Sequence, residues 1–211
     1  MSALLDAIRK PSVTNQPPTS REIMRSDLAT VALIIIALLL GLAVRNGTLN
    51  ASKKVELDGL PPLAIPAHWM PGTADNLAFY ARSGGSPSIF DSEMAVFSRP
   101  LRNEETLISA RTAWGVRRGQ DLERYRELVA DPVTVLDGQP GALVTYAYVA
   151  DPTRLAGAGS PPVVVQGQDL LFVHDNNLVV VSVAADVAAW DSAQKEFDII
   201  FRSLRLQEAE Q

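Results

Sequence analysis

The chain has no cysteine among its 211 residues, so no disulfide, thiolate zinc site, iron–sulfur cluster or covalently attached haem can form. Its formal net charge of −5 gives no basic excess of the kind that binds nucleic acid. The glycine motifs that bind phosphates or dinucleotides do not occur, nor does the nucleophile elbow of hydrolases. We therefore expect no enzyme activity, no cofactor, no metal site and no nucleic-acid partner.

Histidine is also scarce, with only His68 and His174 in the chain. A catalytic triad or a metal site would need one of them to meet suitable partners, and Ser86 has no base placed beside it. We therefore expect structural or surface roles for both histidines. An anchored hydrolase stays open as an alternative, and loss of an activity in His68→Ala or His174→Ala would support it.

A long uncharged run, Leu28–Val44, dominates what the chain does contain. Its six Leu, three Ile and two Val together favour a lipid bilayer by about 5 kcal/mol. Seventeen helical residues rise about 26 Å, close to the thickness of a hydrocarbon core. Thr19 and Glu22 have the spacing of a capping box, which predicts a helix that starts near Ser20.

The run predicts a retained transmembrane anchor in preference to two alternatives. A buried core helix is rarely apolar on every side with charges at both ends. A cleaved signal peptide is disfavoured because 27 residues precede the run and no clear cleavage site follows it. The residues predicted to span the membrane include Leu28, Val31, Ile35, Leu38, Gly41 and Val44.

Positive charges flank the run, with four before it and three soon after it, which favours a cytoplasmic N-terminus. The chain after residue 55 has 12 Lys and Arg against 21 Asp and Glu, but large domains cross membranes regardless of charge. An outside-facing domain without disulfides is more typical of bacteria. We predict a single-pass protein of the bacterial inner (plasma) membrane, with its C-terminal domain periplasmic or extracellular. Arg21, Arg25 and Arg45 are candidate contacts to lipid headgroups or to a partner.

Composition divides the chain into five segments. They are a cytoplasmic tail (1–19), a transmembrane helix with its flanks (20–50), a linker (51–62), one folded domain (63–206) and a polar C-terminal tail (207–211).

Within the domain, the patterns predict short strands, two helices and a central hairpin. Strands are predicted at Leu77–Tyr80, Met94–Phe97, Thr106–Ala113, Val133–Leu136, Ala142–Val149, Val163–Gln166, Leu170–His174 and Leu178–Val183, and helices at Gln120–Ala130 and Asp186–Leu204. Both faces of Ala142–Val149 are rather apolar, which predicts a sheet covered on both sides. Loops are predicted at 82–88 and 151–162.

The one basic cluster of this acidic domain contains Arg111, Arg117 and Arg118. Arg117 and Arg118 lead into the predicted helix at Gln120–Ala130, where they are candidate contacts to lipid headgroups or an acidic partner. A solvated loop is the alternative that we favour for this cluster.

The order of several short motifs resembles the PsbP-like family, which includes the Mog-type Ran-binding proteins. The motifs are Ile65-Pro66-x-x-Trp69, Val135-x-x-Gly138-x-Pro140, a helix with Trp190 and Phe197, and Phe201-x-Ser203-Leu204-x-Leu206. The resemblance covers roughly residues 63–206. It implies an α+β fold, in which an α/β/α sandwich with a central antiparallel sheet follows the transmembrane helix. Members of the family are mostly non-enzymatic, and no ligand site of the family is matched residue by residue.

The sequence thus supports two main hypotheses about function. In the first, the protein is a non-catalytic accessory subunit that stabilises or assembles a bacterial membrane complex of respiratory or photosynthetic electron transport. Its partners are membrane lipid and other subunits, and its domain covers the outer face of the complex. In the alternative, the domain is a membrane-tethered binding module for a peptide, lipid or cell-wall ligand, with a site in the loops at 82–91 and 151–162.

Overall fold

The structure is a computed structural model that describes residues 20–49, 51–84, 88–136, 138–151, 161–205 and 207–208. The chain divides into two units, Met1–Thr48 and Leu49–Gln211. The first unit contributes helix α1 (Ser20–Leu49), which begins where the sequence predicts. Within α1, the apolar stretch Asp27–Val44 has no buried residue.

The second unit is built on an eight-stranded antiparallel sheet. Its elements in chain order are β1 (Ser52–Val55), β2 (Leu63–Pro66), β3 (Met70–Gly72), β4 (Phe79–Arg82), β5 (Glu93–Pro100), α2 (Leu107–Asp121), β6 (Arg126–Val135), β7 (Gln139–Ala150), β8 (Val163–His174), β9 (Asn177–Asp186), a 3-10 turn (Val187–Ala189), α3 (Trp190–Ser203) and β10 (Gln207–Glu208). The strand order is β10-β6-β7-β8-β9-β5-β4-β3, and β1 and β2 form a separate antiparallel pair.

The central hairpin joins β8 to β9. Asp175 and Asn176 form its turn with φ of 46° and 61°, a conformation that Asp and Asn tolerate better than most residues. The predicted hairpin is confirmed, and its ladder runs from the His174–Asn177 pair to the Val165–Asp186 pair. Nearly all of β9 is buried, as expected for a strand with neighbours on both edges.

Helix α3 covers one face of the sheet. Phe197, Ile200 and Leu204 recur at three and four residues and are 0% exposed, which makes them the apolar stripe that the sequence predicts. Asp186 accepts a hydrogen bond from the backbone N–H of Ala188 at 2.9 Å and so caps the 3-10 turn that leads into α3. Trp69 packs edge-on against Phe197 within the same layer.

Helix α2 lies on the other face. Ala110 and Trp114 are buried on it, one turn apart, and they pack against Val144, Leu171 and other residues of the sheet. With helices on both faces of an antiparallel sheet, the second unit is the α/β/α sandwich that the sequence predicts, and the α+β fold class is confirmed.

The region between Leu101 and Val135 differs from the prediction, because helix and strand are exchanged. Thr106–Ala113, predicted as a strand, begins α2, where Thr106 and Ser109 form a capping box. The predicted helix Gln120–Ala130 instead ends α2 and begins β6. From Arg126 onward this segment pairs with β7, and the hydrogen bonds and side-chain contacts of that pairing outweigh its helical periodicity.

Smaller differences occur at the segment ends. The predicted linker 51–62 contains β1, which pairs with β2. The predicted tail 207–211 begins with β10, which pairs with Thr134 and Val133 of β6. Residues 1–19, including Thr19 of the predicted capping box, lie outside the described residues, as do 85–87 and 152–160 in the two predicted loops.

Strand β6 leaves part of one edge unpaired among the described residues. Because β10 pairs only with Thr134 and Val133, residues 126–132 border no further strand in that part of the chain. The ladder with β7 is irregular between Glu127 and Val129, where a β-bulge lies.

Candidate functional site

Helix α1 is the first candidate site, because it is long and apolar enough to cross a membrane by length and composition. A retained anchor and a signal sequence share these properties. The predicted spanning residues with side chains larger than glycine are all exposed, and they are Leu28 (69%), Val31 (55%), Ile35 (51%), Leu38 (63%) and Val44 (66%). A Cβ added to Gly41 would meet no atom within 4 Å, so this face of α1 is open.

The predicted arginine contacts fall into two groups. Arg21, Arg25 and Arg45 lie on α1, and their side chains are outside the described part of the structure. Arg117 is an exposed residue of α2, pairs with Asp121 at 3.3 Å and lies 5.6 Å from the ring centre of Trp114. A depression of about 390 Å³ beside it is also lined by Arg99. A headgroup or partner contact by these residues stays a prediction.

Arg118 is not the surface residue that the sequence predicts. Its side chain points into the domain and is 12% exposed. Its Nε and Nη2 atoms donate to the two carboxylate oxygens of Asp169 at 2.9 and 2.8 Å, and Asp169 is fully buried in β8. Nη2 also donates to Ser182 at 2.6 Å. Such a two-point pair fixes the guanidinium in place, so Arg118 is corrected from a surface contact to a buried ion pair.

Aromatic rings enclose this ion pair. The guanidinium carbon of Arg118 lies 4.9 Å from the ring centre of Trp114, 5.3 Å from that of Tyr146 and 5.5 Å from that of Phe97. Trp114 also donates its indole N–H to Asp169 at 2.6 Å. These contacts tie α2 to three different strands of the sheet.

Gly167 makes room for one of these rings. It lies opposite Tyr146 in the ladder of β7 and β8, and a Cβ built on it would come within 2.5 Å of the phenol ring. No side chain fits there without displacing the ring. The glycine therefore allows Tyr146 to lie across β8, where its hydroxyl is 3.2 Å from that of Ser182.

Beside the ion pair is a cavity of about 180 Å³, which we call the Arg118 pocket. Glu93 of β5 lines it, and its carboxylate accepts a hydrogen bond from the Tyr80 hydroxyl at 2.9 Å. The lining residues are Leu77, Tyr80, Glu93, Ala95, Phe97, Arg118, Leu122, Tyr146, Tyr148, Ser182 and Ala184. The pocket thus combines apolar and aromatic walls with a few polar groups, as small-ligand sites do.

Burial controls the ionisation of the groups in the pocket. It raises the pKa of the Tyr80, Tyr146 and Tyr148 hydroxyls well above the ordinary value, so these phenols are neutral near pH 7. It also raises the pKa of the Glu93 carboxyl, although the Tyr80 hydroxyl and the Arg118 charge act in the opposite direction. Burial lowers the pKa of Arg118, but Asp169, Tyr146 and Tyr148 together raise it by more, so Arg118 stays charged.

The histidines lie elsewhere. Nε2 of His68 is 3.5 Å from Glu196 of α3, and Nε2 of His174 is 3.6 Å from Asp175 in the hairpin turn. Among the described residues, no group of three or more His, Asp or Glu is arranged to hold a metal ion.

Sequence reasoning missed Asp169, Glu93 and the tyrosines of the pocket. One signal was available for Asp169, which is the only charged residue between Val163 and Val183 apart from Asp175 in the hairpin turn. A charge in such an apolar setting requires a buried partner. The identity of that partner depends on how α2 crosses the sheet, which local patterns do not specify.

Comparisons with known proteins show that this chain is similar in fold to solved structures. No protein-family model and no curated protein matches the chain. The solution structure of cyanobacterial PsbP from Synechocystis sp. PCC 6803 is similar with a TM-score of 0.54, at 13% identity over 75% of this chain and 92% of that chain.

Two further structures are similar at a lower level. A mutant of the protein Mog1 has a TM-score of 0.45 at 14% identity, over 74% of this chain and 88% of that chain. LpqN of Mycobacterium tuberculosis, described as involved in cell envelope biogenesis, has a TM-score of 0.46 at 10% identity, over 72% and 88%. At these identities, the second unit shares the fold of cyanobacterial PsbP, and the fold is what the comparisons establish.

Proposed function

We propose that the protein is a single-pass accessory subunit that stabilises or assembles a bacterial membrane complex. The N-terminal tail lies in the cytoplasm, α1 spans the inner membrane, and the sandwich domain covers the outer face of the complex. Its role is assembly and not catalysis. Membrane lipid and the other subunits are its partners.

The observation that carries this proposal is the exposure of α1. All of the apolar stretch Asp27–Val44 is unburied within the chain, while the second unit has a core of its own. Apolar surface of this extent is stable only in lipid or against another protein. Within the domain, the charges of Arg118 and Asp169 pair with each other and so serve the packing of the domain itself.

The likeness to cyanobacterial PsbP supports the choice of an accessory role. We propose that the domain belongs to the PsbP-like family, whose photosynthetic members dock on the outer face of a membrane redox complex. A respiratory or photosynthetic electron-transport complex is accordingly the proposed partner.

Purification of the tagged full chain in a mild detergent tests the proposal. We expect defined partner proteins to co-purify at a fixed stoichiometry after size-exclusion chromatography. Gly41→Leu should weaken this association if α1 packs closely on a partner helix, because only a small residue allows helix backbones to approach. The matched control is Ala43→Leu, which adds nearly the same bulk on another side of α1. A monodisperse monomer without partners would contradict the proposal.

The alternative of a membrane-tethered binding module is favoured by one observation, the Arg118 pocket. The pocket is not in the predicted loops 82–91 and 151–162 but between α2 and strands β4, β5, β7 and β9. Specific retention of a peptide, lipid or cell-wall ligand by the full chain, without protein partners, would favour this function over the first.

A further inference from the structure

We infer that the Arg118 pocket binds the alkylammonium group of a small amine or of a lysine side chain, with Glu93 as its counter-ion. This inference goes beyond the accessory role, since the pocket can be filled whether or not the protein belongs to a complex.

The ionised form of Glu93 leaves a net charge at the pocket that such a ligand would balance. Arg118 is neutralised by Asp169 through two short hydrogen bonds. Glu93, by contrast, accepts its only hydrogen bond in the described part of the chain from the Tyr80 hydroxyl, which is neutral. With Glu93 ionised, the three charged groups sum to −1, and one monovalent cation restores neutrality.

The more distant charges leave this balance in place. Arg82 lies opposite Glu93 in the ladder of β4 and β5, but it is exposed and makes no described ion pair with it. Asp91 acts on Glu93 with the opposite sign and more strongly than Arg82. An ammonium group inside the pocket would therefore meet a carboxylate whose described hydrogen-bond partner is a neutral hydroxyl.

The walls suit an ammonium group with an alkyl chain. Tyr80 and Tyr148 present aromatic surface beside Glu93, and ring faces attract cations. Leu77 and Leu122 provide apolar surface for the methylenes. The cavity of about 180 Å³ has the volume of roughly six water molecules, which is enough for a four-carbon amine. An anion would meet the Glu93 carboxylate, while the Arg118 charge is already paired with Asp169, so an anion is disfavoured.

Three probes of one size separate charge from shape: n-butylammonium, 1-butanol and butyrate. Each is titrated at pH 8 against the full chain in a maltoside detergent, which carries no ammonium, and binding is followed by ligand-observed NMR. We expect saturable binding of n-butylammonium alone. Nα-acetyl-lysine amide is a fourth probe, and tighter binding of it than of n-butylammonium would identify a protein lysine as the source of the group.

Variants then test the counter-ion. Glu93→Gln keeps the shape and the hydrogen bond to Tyr80 but removes the charge, so it should weaken n-butylammonium binding roughly 10- to 100-fold, the worth of one charge-assisted hydrogen bond. The control Glu123→Gln changes an exposed carboxylate near the rim and should bind as the wild type does. Tryptophan fluorescence melts verify that both variants are folded.

The proposal is overturned by no saturable binding of either amine, by equal binding of butyrate, or by full affinity in Glu93→Gln. Lowering the pH to 5 provides an independent readout. Protonation of Glu93 competes with the cation, so amine affinity should fall, while Arg118 keeps its charge and Tyr80 stays neutral. Affinity that does not change with pH would also count against Glu93 as the counter-ion.

Discussion

At the scale of single residues, Arg118 and Asp169 show what sequence reasoning cannot reach. The two lie 51 positions apart, and the sequence places Arg118 in a basic surface cluster. Burial of both charges is tolerated because each carboxylate oxygen of Asp169 receives a guanidinium donor and the Trp114 indole adds a third bond. The pairing follows from the packing of α2 on β8, and local sequence patterns do not specify which helix packs on which strand.

Asp169→Asn should destabilise the domain by about 3 to 5 kcal/mol, because it leaves the Arg118 charge buried without a counter-ion. Urea unfolding of the full chain in detergent, followed by tryptophan fluorescence, measures this change. All three tryptophans lie in the second unit, so the signal reports on that unit alone. The control Asp121→Asn breaks an exposed pair with Arg117 and should cost about 0.5 kcal/mol or less. Equal effects of the two substitutions would contradict the assignment.

Glu93 should make the domain less stable as the pH rises. Its folded-state pKa is raised above the usual 4.5, so between the two values the folded chain binds more protons than the unfolded chain. Stability therefore falls as the pH rises through this window. We expect Glu93→Gln to raise the melting temperature at pH 7 and to remove this part of the pH dependence. A lower melting temperature at pH 7 would show that the ionised carboxylate is stabilising.

Glu105 should act in the opposite direction. Hydrogen bonds from Arg99 at 2.6 and 2.7 Å, and one from the Arg102 backbone at 2.9 Å, lower the pKa of its carboxyl to about 2. Its contribution is complete above the usual value of 4.5 and is lost as the pH falls toward 2. Compared with the wild type, Glu105→Gln should lose less stability over this acid range in urea titrations. The neighbouring Glu104→Gln serves as the control, and an identical acid response in both would refute the prediction.

At the scale of elements, the sequence predicts correctly those helices and strands whose signal lies within the segment itself. The helix Asp186–Leu204 and the β8–β9 hairpin could be predicted because their periodicity and turn residues are local. The exchange of helix and strand between Leu101 and Val135 could not, since β6 is fixed by pairing with β7. Pro132 within β6 also argues against a strand in sequence reading, although an edge strand accommodates it.

Helix α1 should fail to anchor the protein if a charge is placed at its centre. Leu38→Arg changes an insertion free energy of about −0.5 kcal/mol into one of about +3 kcal/mol, which offsets most of the gain from the run. We expect the variant to leave the membrane fraction on carbonate washing, whereas Leu38→Ile should stay with it. Retention of the arginine variant would mean that protein contacts, and not lipid, hold α1.

At the scale of the whole molecule, the absence of cysteine makes orientation measurable. Single cysteines at Ser2 and at the exposed Gln120 introduce the only thiols in the chain. In intact cells, a membrane-impermeant maleimide should label Gln120→Cys and not Ser2→Cys. Permeabilised cells provide the control, in which both positions should react. The reverse labelling pattern would place the domain in the cytoplasm and contradict the proposed topology.

Among the described residues, the unpaired edge of β6 at residues 126–132 has a consequence for the proposed membrane-anchored protein, whose copies would be concentrated in one plane. Exposed strand edges invite neighbouring copies to extend the sheet into fibres. Here Pro132 offers no N–H, the bulge after Glu127 interrupts the ladder, and Arg126 and Asp131 place opposite charges along the same seven positions. An incoming strand finds no continuous row of hydrogen-bonding groups at these positions. Copies anchored as proposed would therefore have no uninterrupted edge along which to polymerise when they meet by lateral diffusion.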